Sequence, residues 1–417
     1  MDEVTTNASF HHVPAETWLQ ILSVVACHPT KDEFATKTHT HHGFSRRGDN
    51  LNTDMNQREL SKVIKQRLTL ALVCRSWHGI AIPHLWSHVR LRLNTPHQSL
   101  DAVLEAIERK PYLASLTKRL TIHVQTAPHK GRKEREDLNE FNIRRLLRSL
   151  PNLKLISYPS TYQLTELLTG VEVISIGSGR HIRTPNSKEH FFGPQSVSLQ
   201  ARMLSMDLDN MCIRSERPAS FPRLETLHLT LIYHYGSLHS LARWSMPHLR
   251  WLSLKSESPL SCLIALLPAQ STLQYLQIDL DIQSVDGSQV TLLFPCLTSI
   301  FLSFAHRPPR GESALRTLIH LVNAPQLRCF GFFDLQSSYH LISSVNMAIE
   351  AYPSLDTICL EGSIKLVHKS GLLSEEDVMK WCRRGLRVKV RSGVPWVTYG
   401  AQGDSTLLLI QSESGSL

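Results

Sequence analysis

The stretch 221–231, Phe-Pro-Arg-Leu-Glu-Thr-Leu-His-Leu-Thr-Leu, decides the reading of this chain because its phrase returns five more times. A Pro or small residue leads into an apolar triplet spaced i, i+3, i+5. The six copies are Leu224, Leu227, Leu229; Leu249, Leu252, Leu254; Leu273, Leu276, Ile278; Leu297, Ile300, Leu302; Leu327, Phe330, Phe332; and Leu355, Ile358, Leu360. Their first residues are 25, 24, 24, 30 and 28 positions apart. In a chain that is 42% apolar one triplet means little. A near-constant period is the mark of stacked supersecondary units. Five copies carry Pro two residues before the first apolar position, at Pro222, Pro247, Pro295, Pro325 and Pro353. Proline fixes φ and cannot donate to a ladder, so the expectation is a proline at each strand entrance.

Each unit therefore reads as a short strand, a turn and a helix returning to the next strand. Residues 312–322 place Leu315, Leu318, Ile319 and Val322 on one helical face, and Leu341, Val345, Ala348 and Ile349 do the same further on. Parallel strands in such a stack bury one face against the helices and offer the other to a partner. An ordinary α/β domain is the plainer alternative. Looser copies extend the array backwards: Leu153, Ile156, Tyr158 after Pro151; Val171, Ile174, Ile176; then Val197 and Leu199 after Pro194. Leu120, Ile122 and Val124 form an earlier candidate strand.

Length and composition fit two or three compact domains or one elongated array. No apolar run approaches the ~18 residues of a membrane span, and the N-terminus is polar without a secretory core. A cytoplasmic or nuclear protein is expected. The eight cysteines are scattered singly, with no C-x-x-C pair and no zinc spacing. They read as reduced, with Cys296, Cys329 and Cys359 in or beside repeat strands. The formal charge is +9. Residues 130–148 alternate basic and acidic side chains, a solvated helix face with Leu138, Phe141, Leu146 and Leu147 inward. Arg387, Lys389 and Arg391 alternate with Leu386, Val388 and Val390, the period of a half-buried strand whose basic outer face discourages edge pairing. Neither cluster has the interleaved aromatics of a nucleic-acid module. No nucleic-acid or membrane partner is expected.

The first hundred residues are organised differently. Residues 14–26 read as a helix with Pro14 in its first turn, Glu16 at the positive dipole end, and Trp18, Ile21, Leu22 and Val25 on an apolar face. A second helix runs from about Asn56 to Trp77, with Asp54 as N-cap and Leu60, Val63, Ile64, Leu68 and Leu72 at helical spacing. Between them, residues 28–53 are polar and rich in His and Thr, too poor in apolar surface to offset their ordering entropy.

Val13, Pro14, Ala15, Glu16, then Trp18 to Leu22, and later Leu70 to Trp77 with Val73, Cys74, Arg75 and Trp77, resemble an F-box. The continuation from Ala81 to Leu91 is similar to F-box proteins of basidiomycete fungi, which commonly carry degenerate leucine-rich repeats downstream. The departures are Val13 in place of Leu, Arg67 where the family often has Leu, a long insert between the halves, and repeats without the consensus Asn. The resemblance implies an α/β protein: a small N-terminal helical F-box over residues 1–92 with its insert at 28–53, a curved leucine-rich-repeat-like solenoid with a parallel strand face over 93–399, and a tail over 400–417. It also implies a non-catalytic substrate-recognition subunit of a cullin–RING ubiquitin ligase. Val13, Pro14, Ile21, Leu22, Val73, Cys74 and Trp77 would bind or support a Skp-type adaptor, and the repeats an unidentified, acidic or phosphorylated protein substrate. For Leu72 and Trp77, packing in a three-helix core is the expected role. The alternative is a repeat scaffold with no part in a ligase.

Catalytic chemistry has little footing, and no cofactor or metal is expected. Gly177, Ser178 and Gly179 lack the third Gly and the Gly-Lys-Ser/Thr of a phosphate loop, so a simple turn is the reading. His39, His41 and His42 share a polar segment without Cys support. His84 and His88 are four apart, flank Leu85 and Trp86 at a helix-to-strand transition, and read as structural. Residues 407–410 form one apolar run that suits a last strand.

Overall fold

The computed structural model of the protein describes residues 71–73, 75–93, 99–124, 132–159, 167–168, 170–177, 190–191, 201–207, 211–212, 219–231, 243–256, 271–280, 291–303, 311–333, 341–361, 375–391 and 396–399, with Thr17, Lys65, Leu68, Thr69, Leu164 and Leu263. The described residues divide into two compact units, one up to Ser157 and one from Tyr158 onward. Both are α/β and built on parallel strands.

The first unit runs α1 (Arg75–Trp86), β1 (His88–Leu93), α2 (Ser99–Arg109), α3 (Tyr112–Leu116), β2 (Arg119–Val124), α4 (Arg132–Ser149) and β3 (Leu155–Pro159). The Ser87 hydroxyl donates to the His84 carbonyl at 2.7 Å, closing the end of α1, and the chain turns directly into β1. The three strands pair in parallel, with Val89, Leu120 and Ile156 in one row and Leu91 beside Ile122 in the next. All five are buried. Helix α2 covers them with Leu100, Leu104 and Ile107, a 3.6-residue stripe. In α4 the buried stripe is Asn139, Ile143, Leu146 and Leu147. Leu138 and Phe141, expected inward, are exposed. They lie round the helix from the stripe that Ile143 and Leu146 set, and the Arg144–Glu140 pair holds a further side of the helix at 2.9 Å.

In the second unit nine parallel strands follow one another among the described residues: β4 (Val173–Gly177), β5 (Met203–Asp207), β6 (Thr226–Leu231), β7 (Trp251–Ser256), β8 (Tyr275–Leu280), β9 (Ser299–Ser303), β10 (Cys329–Phe333), β11 (Thr357–Glu361) and β12 (Arg387–Arg391). The apolar triplets translate directly into register. One row is Ile174, Leu204, Leu227, Leu252, Leu276, Ile300, Phe330, Ile358, Val388; the next begins Ile176, Met206, Leu229 and ends Leu302, Phe332, Leu360. Every residue named in these rows is buried. Helices α5 (Gly311–Leu321) and α6 (Leu341–Ala351) return between strands as expected, burying Leu315 and Leu318, and Leu341, Val345 and Ala348.

The first apolar residue of each phrase lies outside the strand. Backbone bonds from Leu224 to Phe221, Leu249 to Met246, Leu297 to Phe294, Leu327 to Ala324 and Leu355 to Tyr352 close four-residue turns. Proline therefore sits at the second turn position, where its fixed φ is wanted, rather than at the strand entrance. The residue before each Pro is also buried, so the repeated phrase has four apolar positions rather than three. Hydroxyls tie successive repeats together: Thr272 donates to the Leu249 carbonyl at 2.9 Å and Ser354 to the Leu327 carbonyl at 2.8 Å, each linking one repeat to the one before.

One expectation changes and two fall outside the described residues. The strand after β4 is Met203–Asp207, with Ala201, Leu204 and Met206 as its buried triplet; Val197 and Leu199 lie outside the described residues. The basic strand β12 is no edge: antiparallel β13 (Trp396–Tyr399) pairs with it, so its charges do not prevent pairing. The apolar run 407–410 lies outside the described residues.

Helix α7 (Glu375–Arg383) delivers the chain to β12 through Gly385, whose φ is +87°. The Gly385 amide donates to the Cys382 carbonyl and the Leu386 amide to the Trp381 carbonyl, the paired bonds of a Schellman end. No atom lies within 4 Å of a Cβ added there, so conformation alone sets the cost of a side chain. Gly385→Ala is expected to lose about 1–2 kcal/mol in urea unfolding, and Gly385→Asn less, since Asn tolerates the left-handed region. Equal losses for both would contradict the conformational explanation.

Candidate interaction surfaces

Two surfaces of the first unit and one sheet face of the second carry the side chains that matter for a candidate site. The residues leading into α1 are helical at 71–73, and there Ala71 is buried while Leu72 and Val73 are 76% and 59% exposed. Leu68, one turn earlier, is 50% exposed. Three large aliphatic side chains thus share one stretch of surface, because positions i, i+4 and i+5 lie on adjoining helical rows. Leu72, expected in a core, is instead the most exposed of them: Ala71 and Ala81 take the inward positions. Trp77 is half-buried. Of the other residues expected at the adaptor surface, Val13, Pro14, Ile21, Leu22 and Cys74 lie outside the described residues, as do the expected helix 14–26 apart from Thr17, which is helical, and the insert 28–53 with His39, His41 and His42.

The second surface is the polar face of β1, β2 and β3. Strands His-Val-Arg-Leu-Arg-Leu and Arg-Leu-Thr-Ile-His-Val alternate with period two, so their apolar residues face the helices and the rest share the other face. Register places His88 beside Arg119, Arg90 beside Thr121 and Arg92 beside His123, with Ser157 next to Thr121. The His88 ring is buried, with Nε2 2.9 Å from the Thr121 hydroxyl, which gives it the structural role expected. The cations press on one another. Burial lowers the Arg119 pKa to about 10, with Arg90 adding to the effect. His123 falls to about 4 through burial and the charges of Arg90 and Arg92. Arg90 is lowered as well, by burial and then Arg92. The Nε2 atom of His123 is buried without a hydrogen-bond partner. Nothing in the sequence reading singled out this cluster, although the same alternation that marked Arg387 to Arg391 was available in residues 88–93.

The polar face of strands β4 to β12 holds small neutral residues together with Lys255, Arg387 and Lys389. Ser175, Ser205, Ser253, Gln277 and Ser299 are buried on it. Trp251 stacks on Tyr275, centroids 3.8 Å apart and planes at 16°. Phe301 lies over Gly331, whose missing Cβ would fall 2.2 Å from the ring, so only glycine fits beside it. Cys329 and Cys359 are free thiols with sulfurs 3.6 Å apart. Gly177 ends β4; Ser178 and Gly179 lie outside the described residues. No helix of the described residues is long and apolar enough to cross a membrane.

No protein-family model matches the chain, and no curated protein matches it. Among solved structures, a protein from Bacteroides fragilis is similar over 81% of this chain and 83% of its own, at 10% identity and a TM-score of 0.36. A likeness of that order carries no functional argument.

Proposed function

We propose that the chain is the substrate-recognition subunit of a cullin–RING ubiquitin ligase, with an F-box binding a Skp-type adaptor and a curved repeat array holding a protein substrate. The observation that carries the reading is the exposure of Leu72 and Val73 inside the segment whose sequence, Leu70 to Trp77, resembles the second half of an F-box. Aliphatic surface at adjoining helical positions favours cover by a partner, worth roughly 25 cal/mol per Å² removed from water. The repeats support the substrate half of the reading: strands in continuous register offer a broad face, and a specific interface needs on the order of 1,200–2,000 Å² of total buried area. The chain then makes and breaks no bond itself. It raises the effective concentration of a substrate lysine near a ubiquitin carrier supplied by other subunits.

Co-expression with a Skp-type adaptor is expected to give a one-to-one complex on size exclusion. A Leu72→Asp, Val73→Asp double variant is expected to weaken it at least 100-fold with unchanged circular dichroism, because both side chains are already in water and their replacement leaves no cavity. Pro14→Ala with Ile21→Asp is expected to act in the same direction. Well-folded protein that ignores the adaptor would leave the repeat scaffold as the better reading.

A further inference from the structure

Cys329 and Cys359 stand on neighbouring strands of the second unit, and their sulfurs are 3.6 Å apart. That is van der Waals contact, about 1.5 Å more than the ~2.05 Å of a disulfide bond. Register puts Thr357 beside Cys329 and Cys359 beside Gly331, so the two thiols meet diagonally across β10 and β11 on the polar face. Cys359 has a bulky neighbour on each side of its row: the Phe301 ring fills the space over Gly331, and Lys389 is its register partner on β12. Cys329 is half-buried and Cys359 buried, which lets a small oxidant reach the first sulfur before the second.

We propose that Cys329 and Cys359 are a peroxide-sensitive pair that closes a reversible disulfide between adjacent repeats. Two steps suffice. The Cys329 thiolate attacks one oxygen of hydrogen peroxide, the O–O bond breaks, and a sulfenic acid forms while the departing hydroxide takes up the thiol proton as water. Cys359 then attacks that sulfur, the S–O bond breaks, and the second hydroxide carries away the second thiol proton as another water. The two sulfurs together lose two electrons, and the two peroxide oxygens gain them. Contact at 3.6 Å makes the second step intramolecular and oriented in advance, so it outruns further oxidation. The first step is slow at neutral pH, because the Cys359 contact and then burial hold the Cys329 thiol well above its usual range, and Lys389 offsets only part of this. Diagonal neighbours on a sheet lie about 7–8 Å apart at Cα, beyond the ~4.4–6.8 Å that most disulfides span, so the bond closes only as the two strands shift. A bond made against the ladder is also easily reduced. Oxidation is thereby coupled to movement of the face that the repeats offer, which is a switch rather than a permanent staple. This inference is independent of the ligase reading and is tested without adaptor.

The reduced full chain is treated with millimolar hydrogen peroxide, remaining thiols are alkylated, and the products are mapped by mass spectrometry. No Lys or Arg lies between Cys329 and Lys365, so trypsin leaves both cysteines in one peptide and the bond shows as a loss of two hydrogen atoms. Cleavage at Glu350 with a glutamate-specific protease then yields two chains that only the disulfide joins. The Cys329–Cys359 link is expected to be at least tenfold more abundant than any other pair among the eight cysteines, and to disappear with dithiothreitol. In urea, where the register is lost, that preference is expected to fall at least fivefold. Cys359→Ala should leave Cys329 as a sulfenic acid that dimedone traps. Survival of both thiols while other cysteines oxidise, sulfinic acid at Cys329 in place of the link, or the same preference in urea would each overturn the proposal.

Discussion

Phe330→Ala is expected to destabilise the second unit by about 3–5 kcal/mol, read as a fall in the urea midpoint of its unfolding transition. Phe330 is fully buried in the central row, between Ile300 and Ile358. Its ring lies 5.1 Å from that of Phe332 and 6.1 Å from that of Tyr352, whose hydroxyl donates to the Val322 carbonyl at 3.1 Å. Truncation leaves a cavity walled by strands on both sides and by the Tyr352 turn behind, and none of these can close over it without breaking ladder bonds. Phe330→Leu keeps most of the volume and is expected to lose less than about 1.5 kcal/mol. Because each repeat contacts its neighbours, the loss should broaden the transition as the stack separates on either side of β10. A loss below about 1 kcal/mol for the alanine variant would mean that the row is not packed as described.

The second large effect is one of pH. His123 titrates near 6.5 in an unfolded chain and near 4 in the folded one, lowered by burial and by Arg90 and Arg92. Between those values the unfolded state binds a proton that the folded state refuses, so the first unit is expected to lose stability as pH falls from about 6.5 to about 4 and to level off below. The loss attributable to this group is at most about 3 kcal/mol, and less where remaining solvent contact screens the charges. His123→Gln should flatten that part of the stability profile in a phosphate-free buffer. A wild-type profile that falls no more steeply than that of the variant would contradict the burial of the ring among cations.

The ladder was legible because its information is local and repeated. Leu227 and Leu252 sit at equal places in equal phrases, and parallel pairing needs only that correspondence to bring them side by side. The strand at Met203 was harder to find. Its triplet opens with Ala201, too small to stand out, and no proline precedes it, whereas Pro194 draws attention to Val197. The roles of the prolines were misplaced by four residues because chain geometry alone does not say whether a fixed φ serves a turn or a strand. Leu138, Phe141 and Leu72 show a different difficulty. Helical spacing says which residues share a face, and for these three the buried face was set by smaller or polar neighbours, Asn139 and Ala71. The basic face of β1 and β2 carries a period-two signal, but its two halves are 31 residues apart in sequence, and only the parallel register makes them one surface.

Hydrogen exchange on the full chain with and without a Skp-type adaptor is the most direct measurement of the central claim. Protection on binding is expected in 13–26 and 68–77, with exchange in β6 to β12 unchanged. Protection confined to the repeat strands, or none at saturating adaptor, would contradict the assignment of the N-terminal segments as the adaptor hook.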